Sequence, residues 1–283
     1  KGAIFKFNDE SKLIWKKNYY SKLEKKQKPI LFFSNKNKIL IVGDNIAKYY
    51  ALDIESGRLI WMKNSIAPFN SQIKIYKDRF FIIDFQNTLR CYSIKDGKEI
   101  WNRKTQNSLI SSQKKLSLVI LKNKLYFNNT IGDITAVNLN DGELLWQSPT
   151  QSSLTTSENF FLKTSDLIAD QSALYFSNNK NEFFSFDISS GAMNWKQKIN
   201  STLRPTLIDN YIFTVSAEGY LFVIEKNSGK IVRSTNTFKN FKPKKRLKIK
   251  PSGFIVGKDN IYLTTTNGKL LIIDIKNGQT KSI

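Results

Sequence analysis

A six-residue motif that ends in tryptophan recurs through the whole chain and constrains its fold more than any other feature. All five tryptophans end such a motif: ESKLIW (10–15), SGRLIW (56–61), DGKEIW (96–101), DGELLW (141–146) and SGAMNW (190–195). Two degenerate copies follow, SGKIVR (228–233) and NGQTKS (277–282). Successive turn glycines from Gly57 to Gly278 are 38 to 49 residues apart. This period indicates a repeat architecture, in which each unit buries its apolar faces against its neighbours.

Each repeat contains four short segments rich in β-branched and aromatic residues. Between residues 72 and 105 these are QIKIYKD, RFFIIDFQ, TLRCYSIK and KEIWNRKT, and polar turns separate them. Such spacing predicts an antiparallel meander. The Asp-Gly or Ser-Gly turn suits a hairpin, because glycine tolerates a positive φ. Four strands in roughly 40–45 residues are typical of a propeller blade, so we predict an all-β propeller of four-stranded antiparallel blades with very little helix.

The repeats predict one domain, a single β-propeller over residues 1–283. Its full blades cover about 28–64, 70–105, 114–149, 162–200, 203–237 and 250–283, and a half blade covers 1–20. Seven stations are therefore visible, one of them incomplete. A half-built blade would leave an unpaired strand edge, which propeller closure normally removes. We therefore expect an eight-bladed parent, truncated at the N-terminus.

The composition argues against most enzyme classes. The chain has no histidine and one cysteine, Cys91. It therefore lacks Ser-His-Asp and Cys-His nucleophilic systems, an internal disulfide and most kinds of zinc site. Neither GxGxxG nor GxxxxGK occurs, and the acidic residues are mostly isolated in turns. We expect a protein that is not an enzyme and that uses no cofactor and no metal.

The formal net charge of +22 raises the question of a polyanionic partner. Only seven of the 45 basic residues are arginines, and the lysines are spread through nearly every turn. Because phosphate and base recognition favours arginine forks and exposed aromatic residues, we interpret the charge mainly as composition and expect no nucleic acid. Two denser clusters occupy residues 16–28 and 239–250. The second predicts a basic surface, for an anionic membrane or an acidic partner, formed by Lys242, Lys244, Lys245, Arg246 and Lys248.

The repeat resembles that of the quinoprotein (PQQ-type) propeller family. ALDIESGRLIW (51–61), AVNLNDGELLW (136–146) and SFDISSGAMNW (185–195) are similar to its consensus. The resemblance implies that each tryptophan docks an outer strand against the next blade. The structural repeat residues are then Trp15, Trp61, Trp101, Trp146, Trp195, Gly57, Gly97, Gly142, Gly191, Gly229 and Gly278.

Two branches of this family carry different functions. Quinone-dependent dehydrogenases hold their cofactor beside a calcium ion and near a vicinal disulfide, for which this chain has no second cysteine and no recognisable calcium segment. BamB-like proteins are non-catalytic lipoprotein propellers of the outer-membrane β-barrel assembly machinery. Residues 203–230 resemble one of their late blades, and residues 251–275 resemble their closing blade.

In BamB-like proteins, loops between the middle blades bind the barrel-inserting subunit. The corresponding connections here are Asn102–Lys115 and Gln147–Asp166, although the arginine and the acidic pairing of the family are not evident in them. The resemblance places the partner-binding residues at Leu109, Ile110, Leu154, Phe160 and Phe161.

The resemblance implies a non-catalytic periplasmic scaffold attached to the inner leaflet of the outer membrane of a Gram-negative bacterium. An upstream lipid anchor would provide the peripheral membrane contact. The partners would be the barrel-inserting subunit and unfolded outer-membrane clients. Three alternatives stay open: a degenerate PQQ-dependent dehydrogenase-like protein, a basic propeller that binds polyanions, and a propeller that serves only as an interaction platform.

Overall fold

The computed structural model describes residues 1–105, 114–150 and 161–283. Within these residues the chain forms seven antiparallel sheets, one of two strands and six of four. The seven sheets agree with the seven repeat stations of the sequence. The eight-bladed parent and the single domain stay predictions.

The chain divides into two compact units. The first comprises Lys1–Leu145, and the second begins at Trp146 and includes Phe161–Ile283. Among the described residues, the helices are the single turns Lys22–Lys26 in the first unit and Pro243–Arg246 in the second. No helix in the described part of the chain is long and apolar enough to cross a membrane.

The first unit begins with the two-stranded sheet β1 (Ala3–Phe7) and β2 (Leu13–Asn18). Two four-stranded sheets follow: β3 (Leu31–Lys36), β4 (Ile39–Asp44), β5 (Lys48–Asp53) and β6 (Leu59–Asn64), then β7 (Lys74–Tyr76), β8 (Arg79–Ile83), β9 (Thr88–Ser93) and β10 (Glu99–Lys104). The next sheet has β11 (Leu118–Leu121), β12 (Lys124–Asn128), β13 (Ile134–Asn138) and β14 (Leu144–Ser148). The boundary between the units falls inside β14.

The second unit contains three further four-stranded sheets. Their strands are β15 (Ile168–Ala169), β16 (Ala173–Asn178), β17 (Glu182–Asp187) and β18 (Met193–Gln197); β19 (Thr206–Ile208), β20 (Tyr211–Val215), β21 (Tyr220–Glu225) and β22 (Ile231–Asn236); and β23 (Pro251–Val256), β24 (Asn260–Thr265), β25 (Leu270–Asp274) and β26 (Thr280–Ser282).

In each four-stranded sheet the strands lie side by side in chain order. Because neighbouring strands are antiparallel, the turn between the second and third strands lies at the same end as the connection to the next sheet. We call this the connection end of a sheet. The first-to-second and third-to-fourth turns, including the Gly turn of the repeat, lie at the opposite end.

A polar residue at the end of the second strand shapes the turn at the connection end. Asp44 Oδ1 accepts the backbone N–H groups of Ile46 at 2.9 Å and Lys48 at 2.8 Å. Asp84, Asn129 and Asn178 form the same pair of hydrogen bonds with residues two and four positions later. The fourth residue of the turn has a positive φ in each of these sheets and in the last two: Ala47, Asn87, Gly132, Asn181, Gly219 and Gly268. The prediction from the sequence did not include this second repeat, although its short polar residues are typical of turns.

Hydrophobic clusters join successive sheets within each unit. In the first unit, Tyr49 of β5 packs on Tyr92 of β9 with ring centroids 4.7 Å apart, and Phe80 of β8 belongs to the same buried cluster. In the second, Val223 of β21 and Leu263 of β24 share a cluster. Since inner strands are covered on both faces, they are nearly continuous runs of apolar residues.

The repeat tryptophans lie on the turn glycines of the following sheet. Trp61 contacts Gly97 so closely that an added Cβ would lie 2.6 Å from the indole ring, and its Nε1 donates to Ile94 O at 2.9 Å. The other close pairs are Trp15 with Gly57, Trp101 with Gly142, Trp146 with Gly191 and Trp195 with Gly229. At the sixth position Arg233 replaces tryptophan, and its guanidinium donates to Ile275 O at 2.8 Å beside Gly278.

We predict that Gly229→Ala is far more destabilising than Gly268→Ala. Both glycines have a positive φ, which costs alanine on the order of 1–2 kcal/mol. At Gly229 the new methyl group would also lie 2.6 Å from the Trp195 ring, whereas nothing lies within 4 Å at Gly268. Overpacking adds about 1–3 kcal/mol. Urea unfolding of both variants measures the difference, and equal losses would show that the tryptophan contact does not fix the turn.

Candidate functional site

The predicted partner-binding residues belong to connections between sheets. Leu109, Ile110, Leu154 and Phe160 lie outside the described residues. Phe161 is described, and its side chain is 64% exposed, whereas that of Leu162 is buried. The carbonyl oxygen of Phe161 accepts a hydrogen bond from Asn179 Nδ2 at 2.8 Å. Phe161 therefore lies beside the turn that follows β16, with much of its surface exposed.

The predicted basic surface lies on the connection between β22 and β23. We call residues 239–250 the basic loop. Two buried side chains hold its ends, Phe238 and Ile249, which belong to the cluster between the last two sheets. Phe241 packs edge-on against Phe238 with ring centroids 5.8 Å apart. These contacts anchor both ends of the loop against the last two sheets.

Arg246 holds the basic loop together from within. Its guanidinium donates from Nε to the carbonyl oxygen of Phe241 at 2.7 Å and from a terminal nitrogen to that of Lys239 at 2.5 Å. The side chains of Lys242, Lys244, Lys245 and Lys248 are exposed. The four lysines thus present charge to solvent, while much of the hydrogen-bonding capacity of Arg246 serves the loop backbone.

Two open cavities flank the basic loop. One, of about 330 Å³, is lined by Glu218, Tyr220, Arg246 and Leu247 among others. The other, of about 340 Å³, is lined mainly by polar groups such as Ser234, Asn236, Lys239 and Gln279. Across the described ranges, no three His, Cys, Asp or Glu side chains gather in a way that could hold a metal ion.

Buried basic groups of the first unit pair with carboxylates. Glu24 forms an ion pair with the buried Lys48, whose ammonium lowers the pKa of the Glu24 carboxyl to about 2. Arg90 is buried between Asp84 and Glu99, with N–O distances of 2.9 and 2.8 Å. Such networks hold neighbouring segments in place. Neither the sequence motifs nor the composition predicts these ion pairs, because folding alone brings the partners together.

The single cysteine is a packing residue. Cys91 is fully buried in β9, and burial raises the pKa of its thiol to about 12. Since the thiolate is the nucleophilic form, this thiol is unreactive at neutral pH.

These observations define a class: the chain is a β-propeller built from PQQ-like repeats, with exposed apolar and basic residues in its connections. The chain belongs to the family of the outer membrane protein assembly factor BamB, whose family model matches residues 1–235.

Solved structures share this fold at low sequence identity. The crystal structure of BamB from Moraxella catarrhalis matches with a TM-score of 0.77 and 15% identity, over 99% of this chain and 82% of that chain. The computationally designed Ika8 protein matches with a TM-score of 0.66 and 13% identity, over 87% of this chain and 71% of that chain. No curated protein matches the sequence.

We predict that Arg246→Gln speeds amide hydrogen exchange in residues 239–250 by on the order of tenfold, because it removes charge-assisted hydrogen bonds to two loop carbonyls. Lys244→Gln removes the same charge from an exposed position and is the matched control. Exchange measured by mass spectrometry compares the two, and equal rates would contradict the bracing role of Arg246.

A second prediction concerns acid stability. Asp170 lies 2.9 Å from Lys226; burial alone would raise the pKa of Asp170, but hydrogen bonds from Ser172, Lys226 and Ala173 lower it to about 2. Because the folded pKa lies below the unfolded value of 3.8, the stabilisation is complete above about pH 5 and is lost progressively as the pH falls through the folded pKa of about 2. Asp170→Asn should lower the free energy of unfolding by about 1–2 kcal/mol at pH 7. Urea unfolding at pH 7 and pH 3 should show a smaller stability difference between the unaltered protein and Asp170→Asn at pH 3. The same difference at both pH values would contradict the ion pair between Asp170 and Lys226.

Proposed function

We propose that this protein is a non-catalytic periplasmic scaffold of the outer-membrane β-barrel assembly complex. It binds the barrel-inserting subunit and assists the insertion of client proteins. The observation that carries the proposal is the match of the BamB family model over residues 1–235. The propeller supplies a scaffold of hydrogen-bonded sheets, and its connections supply the contacts.

The proposed partner surface consists of the two connections that contain Leu109, Ile110, Leu154, Phe160 and Phe161. Phe161 supports it, since this residue is 64% exposed directly before the buried Leu162. An exposed aromatic residue next to a buried anchor can enter a partner's pocket without a large loss of backbone entropy.

The outer strands offer a second mode of contact, with unfolded clients. The fourth strand of several sheets exposes apolar residues directly before the repeat tryptophan or its replacement: Leu59 and Ile60, Ile100, and Ile231 and Val232. A bulge interrupts the pairing of these strands with the third strand. Bulges discourage permanent edge-to-edge association. We infer that these edges hold extended client segments only briefly, as strand addition permits.

We propose that the protein acts in the periplasm, at the outer membrane. The protein is attached to the inner leaflet of the outer membrane through a lipid anchor upstream of Lys1, and no bond is made or broken on it. It uses no cofactor, and its partners are the barrel-inserting subunit and unfolded outer-membrane proteins.

We predict that the double variant Phe160→Ser/Phe161→Ser, and separately Leu109→Ser/Ile110→Ser, weakens binding to the periplasmic domains of the cognate barrel-inserting subunit by at least about tenfold. Titration calorimetry measures the affinity. Ile255→Ser is the control, because Ile255 is 67% exposed on β23 and outside the proposed surface. Absence of binding by the unaltered protein would refute the scaffold role, and an equal loss in the control would refute the surface.

A pull-down from native cell envelopes and a melting-temperature measurement distinguish the scaffold from the dehydrogenase-like alternative. Recovery of an outer-membrane barrel with periplasmic repeat domains supports the scaffold. A melting temperature that rises with quinone and calcium together, with dye reduction by alcohols or sugars, would favour the dehydrogenase-like alternative instead.

A further inference from the structure

The basic loop exposes an isolated leucine among lysines. Leu247 is 85% exposed and directly precedes the exposed Lys248, and Lys244 and Lys245 lie one turn before it. Full burial of a leucine side chain is worth about 1.5–3 kcal/mol. Leu247 therefore has much to gain from an apolar environment, which the folded chain does not give it.

The fold holds this leucine in an exposed position. Ile249, two residues later, is only 5% exposed in the core cluster, and Arg246, one residue earlier, is hydrogen-bonded to the loop backbone. The backbone N–H of Lys250 donates to Thr266 Oγ1 at 3.2 Å, and Thr266 N–H donates to Lys250 O at 2.9 Å. Residues on both sides of Leu247 are thus anchored, which leaves its side chain directed to solvent.

The positive charge of the loop is uncompensated within the described structure. Across residues 1–105, 114–150 and 161–283, no carboxylate lies within ion-pair distance of Lys242, Lys244, Lys245 or Lys248. The acidic residue that lines the adjoining cavity, Glu218, accepts a hydrogen bond from Asn200 at 2.9 Å. The loop therefore attracts anionic groups.

The first unit carries the same combination on the connection between β2 and β3. Leu23 is 72% exposed on the Lys22–Lys26 helix, and Lys22, Lys26 and Lys28 are exposed around it. Ser21 and Glu24 cap the helix reciprocally, and Glu24 also pairs with the buried Lys48. The one acidic side chain of this helix is therefore already paired, and Leu23 remains exposed near the exposed Lys22 and Lys26.

We propose that each of these two connections, by itself, binds the surface of an anionic phospholipid bilayer directly. The lysine ammonium groups contact lipid phosphates, and Leu247 and Leu23 enter the boundary between headgroups and acyl chains. Basic segments gain about 1 kcal/mol per lysine near such a surface, and an apolar side chain adds burial in the interface. The inference does not depend on which protein the propeller binds.

The exposed leucines distinguish this surface from a nucleic-acid site. Base stacking needs exposed aromatic rings, but Phe241, the aromatic residue inside the basic loop, packs against Phe238. Phosphate recognition in nucleic acids favours arginine, and Arg246 is engaged with the loop backbone. An exposed leucine contributes nothing to a polyanion in water, whereas it contributes directly to binding at a bilayer.

The test is co-sedimentation of the purified chain with vesicles of phosphatidylglycerol and phosphatidylcholine in equal parts, against vesicles of phosphatidylcholine alone. We expect binding only to the anionic vesicles, with an affinity that falls as salt is added. Lys242→Glu/Lys244→Glu/Lys245→Glu should weaken it by on the order of 100-fold or more. Leu247→Ser, which keeps the charge, should weaken it by roughly tenfold.

The control variant is Lys230→Glu/Lys258→Glu/Lys276→Glu, which changes the net charge equally at exposed positions on the opposite ends of the same unit's sheets. It should bind the anionic vesicles much more tightly than the loop variant. All of these residues are exposed, so circular dichroism should show unchanged folding. An equal loss in the control, an unaltered affinity in Leu247→Ser, or binding to heparin or DNA without binding to vesicles would each overturn the proposal.

Discussion

The contact between an indole ring and the glycine turn of the next sheet is the interaction on which the described fold depends. Five sheets present a tryptophan in their last strand, and the following sheet presents a glycine whose missing side chain makes room for it. The indole N–H of Trp15, Trp61 or Trp195 also donates to a backbone carbonyl of the neighbouring sheet. Within each unit, these contacts tie the last strand of one sheet to the Gly turn of the next. In a repeat protein whose units contact only their neighbours, such contacts between adjacent units supply much of the stability.

The sixth contact shows which part of this interaction is essential. Arg233 stands where the earlier repeats have tryptophan, and it keeps the contact with the turn that contains Gly278 through hydrogen bonds to Ile275 and Lys276. The glycine turn is retained, while the apolar ring is replaced by a planar donor. The contact thus needs a planar side chain that packs against a turn with no side chain of its own. This explains why the last repeat can lose its tryptophan and still form the same kind of sheet.

The two ends of each sheet have different roles. The end with the Gly turn receives the neighbouring tryptophan or arginine and is committed to packing. The connection end of each sheet is closed by a short turn, such as the one at Asp44, that a single polar side chain can stabilise. The connections that leave this end vary in length and composition. Exposed Phe161, Leu23 and Leu247 all occur on these connections. Binding residues on loops held by a well-packed scaffold are a general arrangement, because loops can change without disturbing the core.

The sequence by itself determined the repeat, the four-strand unit, the near absence of helix and the family, because glycine spacing, tryptophan position and strand periodicity are local properties. It also located the basic loop, since its lysines lie close together in the chain. Only the tertiary structure decided which groups face solvent: Arg246 turns back onto its own loop, Leu247 points away from the core that buries Ile249, and Glu24 is taken up by Lys48. Neighbouring residues thus have different roles, because some of them contact partners 5 to 24 positions away in the chain. Composition and periodicity do not encode these contacts.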